Sequence, residues 1–164
     1  MYYSTTEKGK QTNEDKVVLE LSKIASESKF SVKVLSLQPK KPLKLKAQFK
    51  QEKDLELKQN INSLKEFDFV FIGSPVVGSL TSAPLVNFFI RALPKQSPSQ
   101  KKPVFALFVC GILPGFGLKK MQSLLSMKAI KPIESTAFTS MFEFDSKKLL
   151  EVKTFFSKVT EKRD

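Results

Sequence analysis

Two short runs, "FDFVFI" at Phe67–Ile72 and "VFALFV" at Val104–Val109, contain a single polar side chain between them, Asp68. Runs this short and this apolar suit strands covered on both faces of a sheet. Each is followed by a small-residue stretch holding Gly and Pro, and then by apolar residues at helical spacing. The segment "DFVFIGSPVVGSLTSAPLVNFF", Asp68 to Phe89, shows the whole succession. Parallel strands need a crossover of a dozen or more residues, usually a helix, and this is the pattern such a crossover leaves.

The rest of the chain repeats the theme. Tyr2–Ser4 reads as a strand end, Thr5–Thr12 as a polar loop, and Asn13 to Ser28 as a helix with Val17, Val18, Leu21, Ile24 and Ala25 on one face. Thr12 with Asp15 has the spacing of a capping box. Phe30–Leu37 alternates apolar and polar residues, as a half-exposed strand does. Pro39–Lys50 is the least regular stretch, and Leu57, Ile61 and Leu64 fit a short helix face. Leu85–Leu93 reads as a helix with Pro84 in its first turn. "PKQSPSQKKP" reads as a surface loop, Leu118–Leu125 as a helix and Ile133–Phe138 as the last strand. Leu149, Leu150, Val152, Phe155, Phe156 and Val159 line one face of a closing helix. Alternation of this kind predicts an α/β fold, a mostly parallel sheet with helices on both faces.

Composition narrows what such a fold can do. A length of 164 residues suits one domain spanning 1–164. Histidine is absent, which excludes Ser-His-Asp and Cys-His catalysis and any His-containing metal site within this chain. No metal ligand set and no catalytic side chain are expected; chemistry, if any, falls to a cofactor. One cysteine cannot form an internal disulfide, and the N-terminus lacks the apolar core of a secretory signal, so the expectation is a cytoplasmic protein. The apolar runs are too short to span a bilayer. The net charge of +12 is spread along the chain without a nucleic-acid-binding motif, so no specific nucleic acid is expected.

Three loops leave the carboxyl ends of strands: Thr5–Thr12, Ser74–Ser82 and Cys110–Gly117. Ligands of open parallel sheets bind at that end, where the strand order reverses. The first loop, rich in hydroxyls and opening a helix, can cradle a phosphate or can be an ordinary capped turn. Cys110 reads either as a thiol beside a ligand or as a small packed residue, and Phe116 either as a cover for a ligand or as interface filling.

Together "YYSTTEKGKQT", the GSPV segment and "KPVFALFVCGILPGFGLKKMQSLL" resemble, in order and spacing, the three loop segments of the flavodoxin-like family of FMN-binding proteins. The resemblance covers nearly the whole chain. It implies a doubly wound five-stranded parallel sheet of order 2-1-3-4-5, with FMN at the switch point between the first and third strands. It implies Ser4, Thr5, Thr6 and Thr12 at the FMN phosphate, and Ser74, Pro75, Val76, Val77 and Gly78 beside the isoalloxazine. Cys110, Gly111, Pro114, Gly115, Phe116 and Gly117 would lie near its pyrimidine edge. The chain departs from the family pattern in three places. Glu7 stands in the phosphate loop, Val77 stands where many members have an aromatic, and only Met1 precedes "YYS", which reads as a truncated first strand. The implied function is electron transfer through FMN, as a carrier or a reductase, with an acidic redox partner suggested by the charge. The alternative is a flavodoxin-fold module that has lost FMN and acts as a binding or structural protein.

Overall fold

A computed structural model describes residues 1–3, 12–40, 56–58, 64–77, 81–96, 103–113, 115–141 and 144–162. The strands are β1 (Tyr2–Tyr3), β2 (Leu35–Ser36), β3 (Phe69–Val77), β4 (Thr81–Ser82), β5 (Val104–Gly111) and β6 (Glu134–Thr139). The helices are α1 (Asn13–Glu27), α2 (Pro84–Ala92), α3 (Gly117–Ser126) and α4 (Ser146–Glu161). The parallel strands stand in the order β2-β1-β3-β5-β6, which is the expected 2-1-3-4-5 once the short antiparallel β4 is set aside.

The alternation of strand side chains builds two cores. Val70 and Ile72 of β3 and Phe105, Leu107 and Val109 of β5 face one way. There they meet Val86, Phe89 and Ile90 of α2 and Met121, Leu124 and Leu125 of α3. Phe71, Ala106, Phe108 and Cys110 face the other way, against Val17 and Leu21 of α1 and Val152, Phe155, Phe156 and Val159 of α4. Each fully covered aliphatic or aromatic side chain contributes about 1.5–3 kcal/mol of transfer free energy, so both faces of the sheet are anchored. The capping box of α1 forms as its spacing predicts, with Thr12 and Asp15 bonding reciprocally. Pro84 takes the first position of α2, where its missing N–H costs nothing.

Several expectations need correction. The strand read as ending at Ile72 continues through Gly-Ser-Pro to Val77, and Pro75 pairs in register with Cys110. The carbonyl of Asp68 accepts from Val104, so the N–H groups of even-numbered residues face β5. Pro75 therefore interrupts no bond to that strand. The strand expected over Phe30–Leu37 shrinks to β2, because its neighbour β1 has only two residues to pair with. Leu57 does not lie on a helix: it sits in an isolated bridge to Pro39, while Leu64 opens a 3₁₀ turn and Ile61 falls outside the described residues. Leu150, placed on the inner face of the closing helix, is 62% exposed. Among the described residues, no helix is long and apolar enough to cross a membrane.

Candidate functional site

The carboxyl ends of β3 and β5 run side by side, and the strand order reverses across β1 beside them. A ligand crevice belongs at this end of the sheet. The wall after β3 is a hairpin rather than a loop: Val76 pairs with Ser82 and Val77 with Thr81, antiparallel. Ser74 has no exposed surface. Its hydroxyl accepts from the Ala83 N–H at 2.8 Å and donates to the Pro75 carbonyl at 2.9 Å. Pro75 is buried as well, and Val76 is half-buried. Ser74 thus sits under the wall and ties the strand to the start of α2.

Two residues that the sequence reading passed over complete this tie. The Ser82 hydroxyl donates to Asn87 Oδ1, and Asn87 Nδ2 donates back to the Ser82 carbonyl at 3.2 Å. Both residues are buried. The signal was present: Asn87 is the single polar residue in the run "PLVNFFI".

The second wall comes from β5 and the turn into α3. Cys110 is 1% exposed and belongs to the core under α1 and α4. Burial, reinforced by the nearby Glu14 carboxylate, pushes its thiol pKa well up. It is a packed residue. Gly111 lies against the hairpin, and a Cβ there would stand 3.0 Å from Val76 Cβ. Gly117 does the same further on, where a Cβ would stand 3.2 Å from the Ser82 nitrogen. These two glycines hold the walls to each other. Gly115 has a φ of 53°, a left-handed turn position that favours glycine. Phe116 is 61% exposed and fills no interface between helix and sheet.

At the start of α1 the Asp15 carboxylate collects three donors. They are the Thr12 N–H at 2.8 Å, the Thr12 hydroxyl at 2.9 Å and the Tyr3 hydroxyl at 2.9 Å. Thr12 therefore gives its hydroxyl proton to Asp15 rather than to an outside anion. Burial and the bond to Asp15 push the Tyr3 pKa up to about 12. Ser4, Thr5, Thr6, Gly78 and Pro114 lie outside the described residues, and so does Glu7.

The structure thus brings Val76, Gly111, Gly115, Phe116 and Gly117 to one end of the sheet, with Thr12 at the start of the neighbouring α1. It places Ser74, Pro75 and Cys110 beneath. No cluster of His, Cys, Asp or Glu able to hold a metal occurs among the described residues. Two open clefts lie elsewhere. One, of about 610 Å³, runs between β6 and α4 past Thr136 and Phe155. The other, of about 420 Å³, opens at the amino ends of β1 and β3 among Phe30, Phe67 and Phe69. Neither is at the switch-point end, where open parallel sheets hold their ligands.

The model of the family described as NADPH-dependent FMN reductase matches residues 6–134. Among solved structures, the chain is similar to the two-electron reduced flavodoxin of Megasphaera elsdenii, with a TM-score of 0.58 and 11% identity. That likeness covers 98% of this chain and 99% of the flavodoxin, and it shows the flavodoxin-like fold. No curated protein matches the chain by sequence.

Proposed function

The chain belongs to the family of NADPH-dependent FMN reductases, and on that premise we propose that it is a flavin-dependent reductase holding FMN across the carboxyl ends of β1, β3 and β5. When bound, FMN supplies the electron-transfer chemistry that no side chain here provides. The observation that carries the reading is the pair of walls. Gly111 and Gly117 lack the Cβ atoms that would wedge β5 and α3 away from the hairpin, so the two walls meet at the carboxyl ends of β3 and β5.

The described residues fit a flat ring. Val76 and Phe116 offer apolar surface, and Gly115 and Gly117 on either side of Phe116 offer backbone free of side chain. Ser74, Ser82 and Asn87 position the first wall from below, through bonds that fix the hairpin to α2. On the same proposal Val77 and Gly78 would flank the flavin, and Ser4, Thr5 and Thr6 would contact its phosphate. Thr12 orders the start of α1 through Asp15. Reducing equivalents come from NADPH and leave to a small acceptor or to a redox partner protein.

The alternative, a fold without flavin that serves as a binding module, is favoured by one observation. The Asp15 carboxylate already occupies the donors at the start of α1, where a phosphate would be held. The test is an absorbance spectrum of the purified protein after FMN is added and the excess removed, followed by NADPH oxidation. A retained flavin band at about 450 nm with NADPH-dependent bleaching is the expected result. A colourless protein that leaves FMN fluorescence unchanged overturns the reading in favour of the module.

A further inference from the structure

Four of the large apolar side chains left in solvent gather at the carboxyl ends of β5 and β6. Ile112 is 65% exposed, Leu113 56%, Phe116 61% and Met141 75%. Ile112 and Met141 are neighbours, because the Ser140 N–H donates to the Gly111 carbonyl at 3.0 Å, and Leu113 and Phe116 follow Ile112 along the turn into α3. The two segments therefore leave the sheet side by side, and Met141 and Ile112 each stand one residue beyond that bond. An apolar group of this kind with a polar rim marks an interaction surface.

The rim is cationic where helix electrostatics disfavours it. Lys119 and Lys120 lie in the first turn of α3, which contains no acidic residue and no side-chain cap. A helix N-terminus carries partial positive charge, so lysines there are disfavoured where acidic residues would be favoured. Both lysines are exposed, and Lys119 Nζ stands 5.9 Å from the centre of the Phe116 ring, joining the charge to the apolar patch. Lys147 and Lys148 repeat the arrangement in the first turn of α4, although Lys148 is paired with Glu151 and Asp145 caps that helix.

We infer that this patch is the docking surface for an acidic protein, one that presents carboxylates around an apolar centre. The inference rests on the reductase reading only for the partner's purpose, since the patch borders the proposed flavin crevice. A second copy of this chain fits poorly. A two-fold axis through the patch would set Lys119 and Lys120 of each copy across the same apolar centre, in a chain of net charge +12. Opposite charge at a rim speeds encounter and fixes orientation, while the apolar centre supplies the lasting contact.

The probe is an acidic plant-type [2Fe–2S] ferredoxin, titrated calorimetrically into the FMN-treated protein at about 0.02 M and about 0.2 M salt. Binding that weakens with salt, falls about tenfold in K119E/K120E and falls again in I112S/M141S supports the surface. Unchanged far-ultraviolet circular dichroism and an unchanged urea midpoint show that both variants keep their fold. Absent binding overturns the inference, and so does binding indifferent to the lysines. Capture by phosphatidylserine vesicles in place of ferredoxin, or a wild-type dimer that I112S/M141S dissolves, also overturns it. The flavin band is read on the same samples. A colourless protein that still binds ferredoxin through the lysines sinks the reductase reading and leaves the docking surface standing.

Discussion

The tip of the Phe108 ring occupies the space that a side chain at Gly73 would need. A Cβ at that position would stand 2.1 Å from Phe108 Cζ and within 2.8 Å of two further ring atoms. The two residues are in register on neighbouring strands, one pair before Ser74 and Val109. The glycine of "FIGSP" therefore serves the sheet's interior, three residues before Val76, where the hairpin wall begins. Gly73→Ala has to push the ring out of a core that includes Phe138 and Phe155. Overpacking of this kind costs about 1–3 kcal/mol. Urea denaturation should show a lower midpoint by that amount, while Phe108→Leu in the same background should recover part of it.

Ser74 gives the second prediction. Its hydroxyl is the acceptor for the Ala83 N–H at the entrance to α2, and both residues are buried. Ser74→Ala leaves that N–H without its partner, at a cost of about 1–3 kcal/mol. The hairpin then loses its tie, so FMN binding should weaken along with stability. Asn87→Leu, which removes the neighbouring tie, should lower FMN affinity in the same direction. Fluorescence titration of FMN with each variant checks both. Loss of stability at unchanged FMN affinity would show that the hairpin is not a wall of the site.

The fold could be read from the chain because its signals are local. The alternation of Val70, Phe71 and Ile72, the capping pair Thr12 and Asp15, and Pro84 at a helix start each declare themselves within a few residues. The site was only half readable, for a physical reason. Ser74 and Cys110 belong to segments that carry the family resemblance, and the sequence shows where they fall but not which way their side chains point. Ser74 turns under the hairpin because Ala83 needs an acceptor, and Cys110 turns into the core because strand alternation puts it beside Ala106 and Phe108. The hairpin itself was hidden by Pro75, which looks like a strand terminator unless the direction of its missing N–H is known. β2 was overread because its length depends on β1, a neighbour far away in sequence.

Cys110 is the chain's single cysteine, so thiol chemistry reports on one place. At 1% exposed and with its pKa driven well up by burial and Glu14, it is held as an unreactive thiol. The native protein should react with a disulfide reagent far more slowly than the protein in denaturant, where one equivalent reacts promptly. Bound FMN should leave the native rate unchanged or lower it. Fast native labelling that FMN abolishes would instead place the thiol at the crevice surface. Colorimetric thiol titration over time distinguishes the two.

Tyr3 and Asp15 give the last prediction, and it concerns high pH. Tyr3 donates to Asp15 at 2.9 Å, and its pKa is pushed up from the ordinary 10.0 to about 12. The neutral phenol is the form that burial and the bond to the carboxylate favour, so the folded chain holds this proton more tightly than the unfolded one. Its contribution to stability is accordingly complete below about pH 10 and is lost as the pH rises through the folded value. In Tyr2→Phe, which leaves Tyr3 as the only tyrosine, ultraviolet titration of the phenolate should show a midpoint near 12 in the folded protein. It should return to about 10 in denaturant. In Tyr2→Phe/Asp15→Asn the charge and the strongest acceptor are gone, so the folded midpoint should move down toward the ordinary value, leaving only the part due to burial. The same substitution removes a carboxylate from the start of α1, where the flavin phosphate is proposed to sit, so FMN affinity should rise relative to riboflavin. A fall in that ratio would mean that Asp15 orders the phosphate loop through Thr12 more than it repels the phosphate.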